Sequence, residues 1–142
     1  MEKEKIIKIL SQNSRILNHL TDDNITEVLK CCKSQVLKDK EIVFREESSG
    51  TDMFIIVSGS IMIKKGSKTI DLIRMGECFG EMGAISGEKR SATAEASGDI
   101  LLLVLSLDKI NEIDPYIQIK MMKNIVSIIS ERLRKRTEEV IH

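Results

Sequence analysis

The chain of 142 residues fits one domain and is long enough to bury a core without disulfides or a metal. Its 22 basic and 22 acidic residues cancel, which argues against a dedicated nucleic-acid binder, because displacing phosphate counterions needs a basic excess. There is no Trp, and one Tyr and three Phe are too few for a base-stacking platform. No apolar run approaches the roughly 20 residues that span a bilayer, so no membrane partner is expected.

The opening MEKEKIIKIL mixes acidic and basic residues and lacks the apolar stretch of a signal peptide. Cys31, Cys32 and Cys78 form an odd set without a CxxC pair. Both features point to a cytoplasmic protein with reduced thiols. Ile6, Ile7 and Leu10, then Leu17, Leu20, Ile25, Val28 and Leu29, recur at helical spacing, with Thr21 as an N-cap. Residues 1–33 are therefore expected to form two or three short helices.

All 8 glycines lie between Gly50 and Gly98, and glycine marks sharp backbone turns. Residues 34–106 accordingly read as short strands: Ile42 to Phe44, two β-branched runs on either side of Ser58 and Gly59, and Ile70 and Leu72 alternating with Asp71. Ser58 and Gly59 predict a hairpin. Ala92, Ala94 and Ala96 alternate with Thr93 and Glu95, and ILLLVL after Gly98 suits a buried strand. Many short strands indicate a barrel or sandwich.

Residues 107–142 return to helical periodicity. Asp114 and Pro115 supply an N-cap and a first helical residue. From there a seam of Ile119, Met122, Val126, Ile129, Leu133, Arg136 and Val140 is spaced alternately 3 and 4, interrupted once by Arg136. A second stripe, Ile117, Met121, Ile125 and Ile128, runs beside it. One stripe can pack on the β core and the other on a second copy, giving a homodimer; the alternative is one broad face buried in a monomer. The basic run Arg132, Arg134, Lys135 and Arg136 alternates with Glu131, Glu138 and Glu139 and reads as a solvated helix face rather than a DNA-binding one.

Chemistry concentrates in GECFGEMGAISGEKRSA, residues 76–92. Gly76, Gly80 and Gly83 let the backbone approach a ligand, and a short helical turn at Gly83 and Ala84 would offer free N–H groups to an anion. Arg90 stands at the start of the alternating strand, where a buried guanidinium needs an anionic partner. Its planar fork suits phosphate oxygens. Glu81 could serve a hydroxyl group, or Glu81 and Arg90 could simply pair with each other on a loop. The glycines do not form a P-loop, since no Gly-Lys-Ser/Thr follows. The two histidines, His19 and His142, fall in the helical flanks, so neither a metal centre nor a nucleophile–base pair assembles, and no enzyme is expected.

Phe79, Gly80, Glu81, Gly83, Arg90, Ser91 and Ala92 resemble the phosphate-binding cassette (residues 79–92) of cyclic nucleotide-binding domains. Gly50, Phe54, Ile56, Gly59 and Gly76 fit that family's framework. The resemblance covers roughly residues 15–140 and implies an α+β fold: an eight-stranded β-roll of jelly-roll type flanked by N-terminal helices and a long C-terminal helix, as a single domain over 1–142. It implies cAMP or cGMP as regulatory ligand, without a metal. Arg90, with the N–H groups of Gly83 and Ser91, would bind the cyclic phosphate. Glu81 and the Gly80 backbone would meet the ribose 2′-hydroxyl, and Phe79, Met82 and Ala92 are further expected ligand-binding residues of the cassette. Ile70 and Leu72 would face sugar and base, Thr137 would contact the base, and Ser91 could reach the 2-amino group of a syn guanine. The family's usual Pro before the Arg is Lys89 here, and the usual Leu after the turn is Ala84. The resemblance further implies a sensor in which ligand binding moves the C-terminal helix. With the chain ending at His142 and no helix-turn-helix domain in it, the effector would be a separate protein or the helix itself. The alternative is a non-binding dimerisation or interaction module on the same fold.

Overall fold

The computed structural model describes residues 1–141, and the side chains of all of these except Arg136, Glu139, Val140 and Ile141. Arg136 and Val140 of the helical seam, and His142, thus fall outside the described side chains. Two helices open the chain, α1 (Lys3–Asn13) and α2 (Asp22–Lys30). Thr21 caps α2 reciprocally: its Oγ1 accepts from the Asn24 N–H at 3.1 Å, and the Asn24 Oδ1 accepts from the Thr21 N–H at 3.3 Å.

Six strands follow in one antiparallel sheet: β1 (Lys33–Leu37), β2 (Ile42–Phe44), β3 (Asp52–Lys65), β4 (Lys68–Ile73), β5 (Cys78–Phe79) and β6 (Thr93–Ser106). The order is β1-β6-β3-β4, with β2 also on β6 and β5 also on β3. The short helix α3 (Glu81–Ser86) sits between β5 and β6, and α4 (Leu107–Ile110) and α5 (Pro115–Ile141) end the chain. As expected, Asp114 caps α5, its Oδ1 accepting from the Tyr116 N–H at 2.8 Å.

The strand count differs from the sequence expectation at two places, since β3 runs through Gly59 and β6 through Gly98. Ser58 and Gly59 do not close a hairpin. They lie inside β3, where the pairing register with β6 shifts on both sides of Ser58. Gly59 has φ +90, and a Cβ there would lie 2.5 Å from the Ile100 side chain. A positive-φ glycine in a strand produces a bulge as readily as a turn.

Burial along β3 explains its unbroken apolar run. Met53, Ile55 and Val57 face the helices and join Leu10, Ile25, Val28, Leu105 and the α5 residues in one cluster. Phe54 and Ile56 face the other way, into a second cluster with Ile61, Ile73, Phe79, Ala94 and Leu102. A strand covered on both faces loses its polar alternation.

On α5 the stripe Ile117, Met121, Ile125 and Ile128 is the one buried, each at 5% exposure or less. Most of the heptad seam faces outward, with Ile119 at 55%, Val126 at 61% and Leu133 at 64% exposure, while Ile129 is half-buried against the core cluster. The two stripes therefore do not merge into one buried face. The Asn124 side-chain amide donates to the carbonyls of Ile16 and Asn18 at 2.9 and 2.8 Å, and the Lys120 ammonium donates to the His19 carbonyl at 3.0 Å. These bonds tie α5 to the turn between α1 and α2. Among the described residues no helix is long and apolar enough to cross a membrane.

Candidate functional site

Gly80 sets the geometry. In the left-handed region at φ +76, it ends β5 and starts α3 within one residue. As the first turn of a helix, Glu81, Met82 and Gly83 have backbone N–H groups with no intrahelical acceptor. After α3 the chain returns through Arg90, whose N–H donates to the Ser48 carbonyl at 2.9 Å while its own carbonyl accepts from the Glu47 N–H at 2.8 Å. These two bonds fix the Arg90 backbone before β6 begins.

The Arg90 side chain is 5% exposed. Nη1 donates to the Gly80 carbonyl at 2.8 Å and Nη2 to the Asp52 carbonyl at 2.7 Å. Nε is buried with no partner. The guanidinium lies 4.3 Å from the Phe44 ring centroid and 6.0 Å from that of Phe54. No carboxylate forms an ion pair with it among the described residues. Burial lowers its pKa, against the raising influence of Asp52 and Glu81. Three glycines enclose the group: a Cβ would come within 3.0 Å of Nη2 at Gly50, 3.0 Å of Nη1 at Gly80 and 2.6 Å of Nη1 at Gly83. The chain thus gives up side-chain volume at three places to hold one cation that lacks a counter-charge.

Glu81 does not pair with Arg90. It is 5% exposed, and its Oε1 accepts from Arg132 Nη1 of α5 at 3.0 Å. Arg132 Nη2 also donates to the Cys78 carbonyl at 3.2 Å and lies 3.7 Å from Glu77. Arg15 completes the network, pairing with Glu77 and Glu131.

A cavity of about 370 Å³ opens between the cassette, the sheet and α5. Eight expected site residues line it: Phe79, Gly80, Glu81, Met82, Gly83, Arg90, Ser91 and Ala92. Three do not. Ile70 and Leu72 are 42% and 40% exposed, on the outer face of β4. Their neighbours Asp71 and Ile73 line the cavity instead, because Ile73 is buried opposite Ile61 and fixes the alternation of the strand. Thr137 is exposed and its hydroxyl donates to the Leu133 carbonyl, one turn back on α5. Among the described residues, Ile129, Arg132 and Leu133 are those of α5 at the cavity. Arg132 was not a sequence candidate, although it continues the buried stripe four positions after Ile128, and a charge at such a position signals a partner.

These features can be set beside known proteins. A family model described as the cyclic nucleotide-binding domain matches residues 34–113. The chain belongs to that family. It is 26% identical over 104 residues to the human cGMP-dependent protein kinase 2, a match covering 68% of this chain and 14% of the kinase. Its fold is similar to that of the Thermus thermophilus catabolite activator protein, with a TM-score of 0.81 at 22% identity, covering 89% of this chain and 62% of the other. It is also similar to the regulatory domain of Toxoplasma gondii PKA, solved with cAMP, with a TM-score of 0.69 at 25% identity, covering 78% and 44%.

The residues of this cyclic nucleotide-binding domain fit an anionic ligand, since Arg90 is buried without a carboxylate and has an orphaned Nε. A metal has no comparable support: among the described residues no three His, Cys, Asp or Glu side chains gather.

Proposed function

We propose that the chain is a non-catalytic sensor that binds cAMP or cGMP in this cavity. The observation that carries the reading is Arg90, a guanidinium enclosed by glycines on the cavity wall with no carboxylate to neutralise it. A cyclic phosphate supplies the missing charge, with Arg90 and the N–H groups of Gly83 and Ser91 as donors. Glu81 accepts the ribose 2′-hydroxyl. The base lies toward Ile63, Ile73 and Leu133, under α5.

Binding would be coupled to the position of α5, which reaches the cavity through Ile129, Arg132 and Leu133. A ligand shifts such an equilibrium by its differential affinity for the two positions. The outward seam of Ile119, Met122 and Val126 supports homodimerisation through α5, or docking of a separate effector. The bends at Gly59 and Gly98 support a jelly-roll winding, in which β3 and β6 each count as two strands and six become eight. We read residues 1–142 as one domain, since the helix-side cluster joins α1, α2, the sheet and α5. Three free cysteines are in keeping with a cytoplasmic setting.

Calorimetric titration with cAMP and with cGMP tests the reading. Saturable binding by the wild type, lost in a folded Arg90→Ala variant, is the expected result. Affinity that survives this substitution would overturn the phosphate assignment. Absence of binding by the wild type would favour an interaction module acting through the α5 seam.

A further inference from the structure

The cavity carries a carboxylate that neither the cyclic phosphate nor the ribose uses. Asp71 lies on β4, two residues before Ile73 and opposite Ile63 of β3, and all three residues line the cavity. Ile73 is 3% exposed, whereas Asp71 is exposed. Along this face β4 thus passes from a buried apolar side chain to a charge at the cavity mouth.

Asp71 has an acceptor to spare. Its Oδ1 accepts from the Leu72 N–H at 2.8 Å, and its Oδ2 has no hydrogen-bond partner among the described residues. Glu88 and Lys89 also line the cavity, and their opposite charges cancel. With the phosphate at Arg90 and the ribose at Glu81, the base extends past Ile63 and Ile73 toward Asp71. The 6-substituent of a purine sits at the end of the ring system far from the glycosidic nitrogen, in the syn and the anti orientation alike. It is the part of the base that reaches the mouth. Adenine presents an amino donor there and guanine a carbonyl acceptor. An ionised carboxylate only accepts, so it pairs with the first and opposes the second.

We propose that Asp71 is the specificity-determining residue of the base subsite: its free Oδ2 accepts from a 6-amino group and rejects a 6-oxo group, so the cavity selects cAMP over cGMP. The inference rests on the cyclic nucleotide reading and chooses between the two ligands that the reading leaves open. Solvent around an exposed carboxylate keeps the effect moderate.

Calorimetry on the full chain compares cAMP, cIMP and cGMP for wild type, Asp71→Ala and Asp71→Asn. cIMP has the 6-oxo group of guanine without its 2-amino group, so cAMP against cIMP isolates position 6. Wild type should bind cAMP about tenfold more tightly than cIMP, the size of one hydrogen bond made with the amine and lost with the carbonyl. Asp71→Ala should bring the two ligands within about twofold. Asp71→Asn, whose amide can accept or donate, should level them in the same way. A cAMP-to-cIMP ratio that is the same in wild type and Asp71→Ala would overturn the inference. So would a wild-type preference for cGMP over cAMP that Asp71→Ala abolishes, because the carboxylate would then read the N1–H and 2-amino edge of guanine. Both failures leave binding, and its dependence on Arg90, intact. A wild type that binds none of the three nucleotides overturns the underlying reading and this inference with it.

Discussion

The two ends of the cavity solve the problem of a partly dry charge in opposite ways. At one end, Arg90 is held by two carbonyls, ring faces and three glycines, with no carboxylate in contact. At the other, Glu81 already has Arg132, and Arg132 reaches Glu77 and, through it, Arg15. A charge left without a counter-ion marks where a ligand must bring one. A charge already neutralised marks where the protein connects to itself. On the proposed reading, the first end would serve affinity and the second communication.

That contrast breaks most readily at Arg90. Arg90→Ala should cost at least about 1.5–3 kcal/mol of nucleotide binding. Folding stability should change by less than about 1 kcal/mol, because the substitution also removes a buried charge with an unsatisfied nitrogen. Calorimetry and urea unfolding read the two quantities separately, and a large stability loss would show that the cation supports the fold. Next in size is Gly83→Ala, whose Cβ would sit 2.6 Å from Arg90 Nη1. It should displace the guanidinium and weaken binding by about 1–2 kcal/mol. Gly87→Ala is the control: nothing lies within 4 Å of a Cβ there, but φ is +71, so it should cost about 1 kcal/mol of stability and leave affinity unchanged.

Glu81→Ala should lose less affinity than Arg90→Ala, about 1 kcal/mol, because a ribose hydroxyl is a neutral donor. The reverse ranking would exchange the roles of the two ends. The smallest effect concerns Cys78, behind Glu81. Burial first, then Glu81, push its thiol up to about 12, with Arg132 pulling the other way. A raised thiol pKa contributes stability that is complete below the ordinary value of 9.0 and fades as pH rises toward about 12. Native protein at about pH 8 should therefore show no thiolate absorbance from Cys78 and slow alkylation there. Rapid labelling of Cys78 would mean that the Glu81 end opens freely.

The cassette end was legible in the sequence because its physics is local. Closely spaced glycines announce a backbone that must bend, and an Arg ahead of Ala92, Ala94 and Ala96 announces a cation entering an apolar interior. The resemblance of residues 79–92 to the family's cassette rests on the same features. What escaped depends on contacts distant in the chain. Gly59 looks alike in a hairpin and in a bulge, and only the 14-residue pairing partner across the sheet decides between them. Ile70 and Leu72 carry the apolar alternation of β4, but Ile73 across from Ile61 sets the inward face and brings Asp71 with it. Arg132 was hidden among neighbouring charges, and its partner lies 51 positions earlier.

The three hydrogen bonds from Asn124 and Lys120 to the loop at Ile16, Asn18 and His19 have a mechanical consequence. A swing of the last helix that keeps these bonds would drag this loop along, and the amino-terminal helices with it. A fluorescent label at Ser11, on the exposed side of the first helix, would then register nucleotide arrival from a place the nucleotide never touches.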